Sequence, residues 1–198
     1  KGLMASALSS SDPVVFFESQ RLYDTVEQFA TDGVPQDYYR IALGEPDIKR
    51  RGEHVTVLTI GPSLYSALKA ADELSSSFGI EAEIIDARTL VPFNYEPVVR
   101  SLAKTGHLLV VSEASERGSF AMTLSSNLTR HAFKHLKAPP RVLGCPNWIV
   151  PGADMEDTYF PQLDDIIDVV TGEFFPEKKN NQRGIRNWDD MDLARRAL

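Results

Sequence analysis

Apolar residues along the chain follow two rhythms that alternate from about Val55 to Phe174. Val55-Thr56-Val57-Leu58-Thr59-Ile60 is a β-branched run stopped by Gly61-Pro62, which predicts a strand, with the proline suited to the first turn of a helix. Leu64, Ala67, Leu68, Ala71 and Leu74 then recur at helical spacing until Phe78-Gly79. The unit repeats. Glu81 to Ala87 reads as a strand, Tyr95 to Lys104 as a helix, and His107 to Glu113 as a continuous apolar strand of the kind buried on both faces. A longer helix from about Phe120 to Leu136 carries Phe120, Leu124, Leu128 and Ala132 as its stripe. Pro139 and Pro140 then introduce a short edge strand, Arg141 to Cys145, and a last helix runs from Gln162 to about Phe174. Strands alternating with helices at this spacing predict an α/β fold. We expect three layers, α/β/α, around a mostly parallel sheet of about five strands joined by right-handed crossovers.

The flanks break the rhythm. Residues 1–11 read as the end of a helix, and Pro13 introduces Val14-Val15-Phe16-Phe17-Glu18, a run of buried-strand type. From Ser19 to Gly44 the periodicity disappears, and Thr31-Asp32-Gly33-Val34-Pro35 supplies turn chemistry, so 19–44 is expected to connect one domain to another. The regular domain is expected over 45–176. After Pro176 the composition turns polar, giving a tail, 177–198, in which Trp188, Met191 and Leu193 could dock on a partner. Because the first residue is Lys1 rather than a Met and Gly2-Leu3-Met4-Ala5 already reads as the inside of a helix, we expect the chain to be a piece of a longer protein.

Composition excludes some classes. Apolar residues make up 42% and charged residues 25% of the 198, as in a folded domain rather than a disordered one. The net charge of −7 repels phosphate backbones, and the basic residues are scattered apart from Lys49-Arg50-Arg51, so nucleic acid is not an expected partner. No apolar run approaches the roughly 20 residues of a membrane span, which leads us to expect a cytoplasmic protein with no membrane partner. A lone Cys145 rules out an internal disulfide and reads as a core thiol.

Ligands of an open parallel sheet bind at the carboxyl ends of its strands, so chemistry is sought after Ile60, Ala87, Glu113 and Cys145. Gly61-Pro62-Ser63 lacks the glycine spacing that cradles a pyrophosphate, and no G-x-S-x-G elbow occurs. Ser112 falls inside a strand rather than on a strained turn. His131 and His135 stand one helical turn apart, but Ala132, Phe133 and Lys134 lie between them with no carboxylate, so surface histidines are expected. Arg88 and Glu113 each end a strand, where an unpaired charge would be half-buried and costly; a mutual ion pair would answer both, as a structural or interface role. No residue is assigned to catalysis.

Several stretches resemble, in order, the beta subunit of the decarboxylating component of 2-oxo acid dehydrogenase complexes, of the pyruvate and branched-chain types. Pro13-Val-Val-Phe-Phe-Glu18 with Arg21-Leu22-Tyr23 looks like the last strand of that subunit's pyrimidine-binding domain, and Gly44-Glu45-Pro46-Asp47-Ile48 like the start of its carboxy-terminal, transketolase-like domain. Ile84-Ile-Asp-Ala-Arg-Thr-Leu-Val-Pro92, Lys104-Thr-Gly-His-Leu-Leu-Val-Val-Ser-Glu-Ala114 and Lys137-Ala-Pro-Pro-Arg-Val142 are similar to its signature segments.

The resemblance implies that residues 1–18 are the remnant of a pyrimidine-binding domain. It implies a parent that uses thiamine diphosphate and magnesium to decarboxylate a 2-oxo acid and acylate lipoyl-lysine. Gly-Asp-Gly, the family's pyrophosphate motif, occurs nowhere in the chain, so no cofactor is expected on this piece. Its role would be assembly, with the alpha-type and pyrimidine-binding regions, a dimer mate, and the peripheral-subunit-binding domain of a dihydrolipoyl acyltransferase as partners. Ala7, Ser10 and Asp12 resemble half of the family's monovalent-cation loop. Two alternatives stay open: the same domain from a transketolase or deoxyxylulose-phosphate synthase, and an independent small-ligand-binding α/β domain.

Overall fold

The computed structural model describes residues 1–23 and 35–178; the 177–198 tail lies outside them from residue 179 on, as do residues 24–34 of the connector. Its order is α1 (Gly2–Leu8), β1 (Asp47–Arg50), β2 (Val55–Ile60), α2 (Ser63–Phe78), β3 (Ala82–Asp86), α3 (Glu96–Thr105), β4 (Leu108–Ser115), α4 (Phe120–Ala132), β5 (Arg141–Cys145), α5 (Glu156–Tyr159) and α6 (Leu163–Val169). The five strands form one sheet ordered β1-β3-β2-β4-β5. β2 pairs in parallel with β3 and β4, and β4 with β5, while β1 runs antiparallel along the outer side of β3. A three-layer, mostly parallel sheet is therefore what forms, with Arg141–Cys145 at its edge as expected.

Alternation along the strands sorts the core into two halves, because successive side chains leave a strand on opposite faces. Leu109 and Val111 join Val55, Val57 and Ile84 beneath α2 and α6, whereas Leu108 and Val110 join Leu58 and Ile85 beneath α3 and α4. Most of these side chains are fully buried, each stabilising the fold by about 1.5–3 kcal/mol relative to exposure. The Gln162 amide donates to Asp165 Oδ2 at 2.8 Å, one arm of the capping box that starts α6. That helix ends in a wider π turn, Val170–Phe174, which keeps Val170 and Phe174 buried against the sheet. The last helix thus reaches Phe174 by changing its winding rather than by continuing as α-helix.

One expectation fails. Val14 to Glu18 forms no strand and joins no strand of the sheet, and it is not buried: Val15 is 77% and Phe17 85% exposed. Its apolar, β-branched composition meets the local requirement for a strand, but a strand also needs a ladder partner, and none among the described residues lies beside it.

Candidate functional site

α1 and the irregular segment after it lie over the carboxyl ends of β2 and β3, and the space between them is a cavity of about 740 Å3. Ile60 and Gly61 end β2 in its floor, Ala87 and Arg88 follow β3, and Phe120 opens α4; Phe16 and Phe17 contribute from the opposite wall. Ala7, Ser10 and Asp12 also line it. The Ser10 amide donates to the Ala7 carbonyl at 3.2 Å, and Ser10 Oγ accepts from the Asp12 amide at 3.1 Å.

Arg88 and Glu113 do not meet, which corrects the expected mutual ion pair. β3 and β4 flank β2 on opposite sides, so the two strand ends are never neighbours. The Arg88 guanidinium pairs instead with Asp47 at the start of β1, and Asp47 also holds Lys49 Nζ at 3.0 Å. The Arg88 backbone sits at φ 56, with its amide on Asp86 Oδ1 at 3.1 Å. Burial raises the Asp86 carboxyl, against the Arg88 amide and the Lys49 and Arg88 charges that lower it.

Glu113 finds its partner in Arg21, from the start of the connector, at 2.8 Å. Arg21 lies at the same time over the Phe160 ring, 4.8 Å from its centre. Burial pushes the Glu113 carboxyl up, with Arg21 opposing and Glu156 reinforcing the shift. Beside it, the Cys145 thiol donates to the Glu113 carbonyl at 3.0 Å, and burial carries its pKa up to about 12. Such a thiol is not a nucleophile near neutral pH.

Ser112 and His131 have local partners. Ser112 Oγ accepts from the Ala114 amide at 3.1 Å. His131 rests against the Tyr95 ring, 5.3 Å between centres, and no group of three or more His, Cys, Asp or Glu among the described residues could hold a metal. Sequence reasoning missed Asp47 and Arg21 as the partners of the two strand-end charges; each comes from a segment whose position the sheet periodicity does not report.

Fold and site together define a three-layer α/β domain, mostly parallel in its sheet, with an apolar cavity at its strand ends. Residues 44–166 match the family model for the transketolase C-terminal domain, and the chain belongs to that family. It is 35% identical over 170 residues to the pyruvate dehydrogenase E1 component subunit beta of Bacillus subtilis, covering 86% of this chain and 51% of that protein. It is 39% identical over 171 residues to the beta subunit of acetoin:2,6-dichlorophenolindophenol oxidoreductase of the same organism (86% and 48% covered). To the corresponding Cupriavidus necator subunit it is 40% identical over 162 residues (81% and 46%). The chain thus spans about half the length of these relatives. A solved split-gene transketolase, described as an inactive beta4 tetramer, shares the fold with a TM-score of 0.58 at 24% identity, over 74% of this chain and 48% of that one. The resemblance to dehydrogenase beta subunits read from the sequence is borne out by these relatives.

Proposed function

We propose that the chain serves as the carboxy-terminal assembly domain of a beta-type 2-oxo acid dehydrogenase, holding subunits together and offering a surface to the acyltransferase. The observation that supports it best is the union of a transketolase C-terminal domain with the apolar strip Val14–Phe17, which no strand among the described residues pairs. A strip with Phe17 85% exposed is surface that a neighbouring part of the enzyme would cover. On this reading the partners are the alpha-type and pyrimidine-binding regions, a dimer mate and the peripheral-subunit-binding domain of a dihydrolipoyl acyltransferase, in the cytoplasm. Among the described residues no helix is long and apolar enough to cross a membrane.

The parent's thiamine diphosphate and magnesium do not fit the residues present. Of the amides that open α2, Leu64 already donates to the Gly61 carbonyl at 3.2 Å and Tyr65 to that of Pro62 at 3.1 Å, and the Gly61-Pro62-Ser63 turn lacks the glycine spacing of a pyrophosphate cradle. The activity of the parent, decarboxylation of a 2-oxo acid and acylation of lipoyl-lysine, would rest on residues elsewhere. Ala7, Ser10 and Asp12, along one wall of the cavity, would supply part of a monovalent-cation loop; a higher melting temperature in potassium than in choline chloride at equal ionic strength would support it.

Titration calorimetry of the chain tests the assembly reading. Binding of the peripheral-subunit-binding domain without heat from thiamine diphosphate and magnesium is the expected result, and saturable cofactor binding would overturn it. A second reading, a parent that oxidises acetoin, draws on the 39% and 40% identities to acetoin-type subunits against 35% for the pyruvate type.

A further inference from the structure

The strand order of the sheet reverses between β2 and β4. The crossover after β2 runs outward to β3, and the next returns past β2 to β4 on its other side. Open parallel sheets leave a crevice at such a point, outside the carboxyl ends of the strands, and small ligands bind there. The cavity of about 740 Å3 lies beside this reversal, with Ile60 and Gly61 from β2, Ala87 to Pro92 from the loop after β3, and Phe120 from the start of α4. Its volume falls within the roughly 300–1,000 Å3 of small-molecule sites.

Two backbone features point the same way. Gly61 has φ 65, and nothing stands within 4 Å of where a Cβ would be, so the end of β2 is open to close approach. Arg88 adopts φ 56 without being glycine, a conformation that costs on the order of 1–3 kcal/mol and persists only where the surroundings impose it. What it achieves is to bring the only cation in the lining, among the described residues, to the cavity wall. Asp47 takes Nη2 of that guanidinium and is shared with Lys49; Nε and Nη1 have no acceptor among the described residues. Apart from Ser10, Asp12 and Thr89, the rest of the lining is apolar or glycine, and Phe16, Leu90 and Phe120 supply its bulk.

We propose that this cavity binds an amphipathic monocarboxylate, its carboxylate on the unused edge of Arg88 and its alkyl or aryl body among Phe16, Leu90 and Phe120. One guanidinium, partly satisfied by Asp47 and without an amide cradle, suits a single carboxylate rather than a diphosphate. The site goes beyond the assembly role and does not depend on what the parent enzyme oxidises.

The test is calorimetry and amide NMR on the whole chain with phenylbutyrate, its neutral analogue phenylbutanol, and butyrate. Phenylbutyrate is expected to bind saturably at one site, with shifts at Gly61, Arg88 and Phe120, about tenfold or more tighter than phenylbutanol. Butyrate, lacking the apolar body, is expected to bind more weakly than either. Arg88→Met should bring phenylbutyrate down to the level of phenylbutanol, with Arg88→Lys between. Equal binding of acid and alcohol, unchanged binding in Arg88→Met, or shifts confined to the exposed Trp148–Val150 loop would overturn the proposal. Should Arg88→Met not fold, Leu90→Trp fills the cavity while leaving Arg88 in place, and phenylbutyrate binding that survives it would be equally fatal.

Discussion

Glu83 offers the sharpest test of how the domain is held together. Its side chain, on β3, is only 2% exposed, yet it is ionic: Lys104 Nζ from α3 lies 2.6 Å from Oε2, and the Gly52 amide donates to the same oxygen at 3.3 Å. Burial works against the charge, but Lys104, the Ser101 hydroxyl and the Gly52 amide outweigh it and hold the carboxyl below its usual range. Lys104→Met keeps the aliphatic stem and removes the cation. Breaking a buried pair by removing one partner costs about 3–5 kcal/mol; Lys104 is 31% exposed and two hydrogen bonds to Glu83 survive, so about 2–3 kcal/mol is expected here. For a domain of this size that is a fall of about 4–12 °C in Tm. The sign with pH is fixed as well. A depressed carboxyl pKa contributes stability that is present above the unfolded value of about 4.3 and lost as pH falls through the folded value. Urea unfolding of both proteins across this range should show the difference shrinking toward low pH, where Glu83 is neutral in each. A loss that stays constant from neutral pH to well below pH 4 would refute the electrostatic account and assign it to packing.

Two further outcomes follow from contacts in the core. A Cβ at Gly52 would stand 2.3 Å from the Ala82 carbonyl carbon and 2.4 Å from the Glu83 nitrogen, both backbone, so Gly52→Ala must push β3 aside; we expect a loss of about 2 kcal/mol or more by chemical denaturation, and a loss under about 0.5 kcal/mol would contradict the geometry. Cys145, buried and with its pKa raised to about 12, should resist a thiol-specific disulfide reagent at pH 8 until the protein unfolds, and prompt stoichiometric labelling of the native chain would show the thiol to be accessible.

The layers were legible because burial on both faces leaves a strong mark. Leu108-Leu109-Val110-Val111 has no polar interruption, and a strand with that composition belongs in the middle of a covered sheet, where it stands between β2 and β5. Helix ends were less legible, since Val170 and Phe174 keep the apolar spacing while the winding beneath them changes to a π turn. Val14–Phe17 shows the limit from the other side: local composition reports what a segment prefers against a partner, not whether that partner is beside it. The same holds for the candidate site. Arg88 and Glu113 were visible as costly charges at strand ends, but which residue answers each depends on the order of strands, which periodicity does not encode.

That order has a consequence for the amino-terminal flank. With β2 between them, Arg88 and Glu113 are answered from outside the parallel strands, by Asp47 just after the connector and by Arg21 near its start. Both ends of the connecting segment are therefore tied to the carboxyl edge of the sheet, one on either side of β2, and the amino-terminal flank that walls the cavity is positioned by charge as well as by apolar contact. Glu113 reports on this tie. Burial raises its carboxyl and Arg21 pulls it down, so Arg21→Met should raise it further, as read from the side-chain carboxyl resonance in a pH titration. A folded pKa above the unfolded value means that Glu113 contributes most to stability below the unfolded value, and that this contribution is lost as pH rises through the folded one. The decline should therefore extend to higher pH in Arg21→Met than in the parent chain. If the resonance titrates at the same pH in both, Arg21 does not hold Glu113 in solution, and the amino-terminal flank is seated by apolar contact alone.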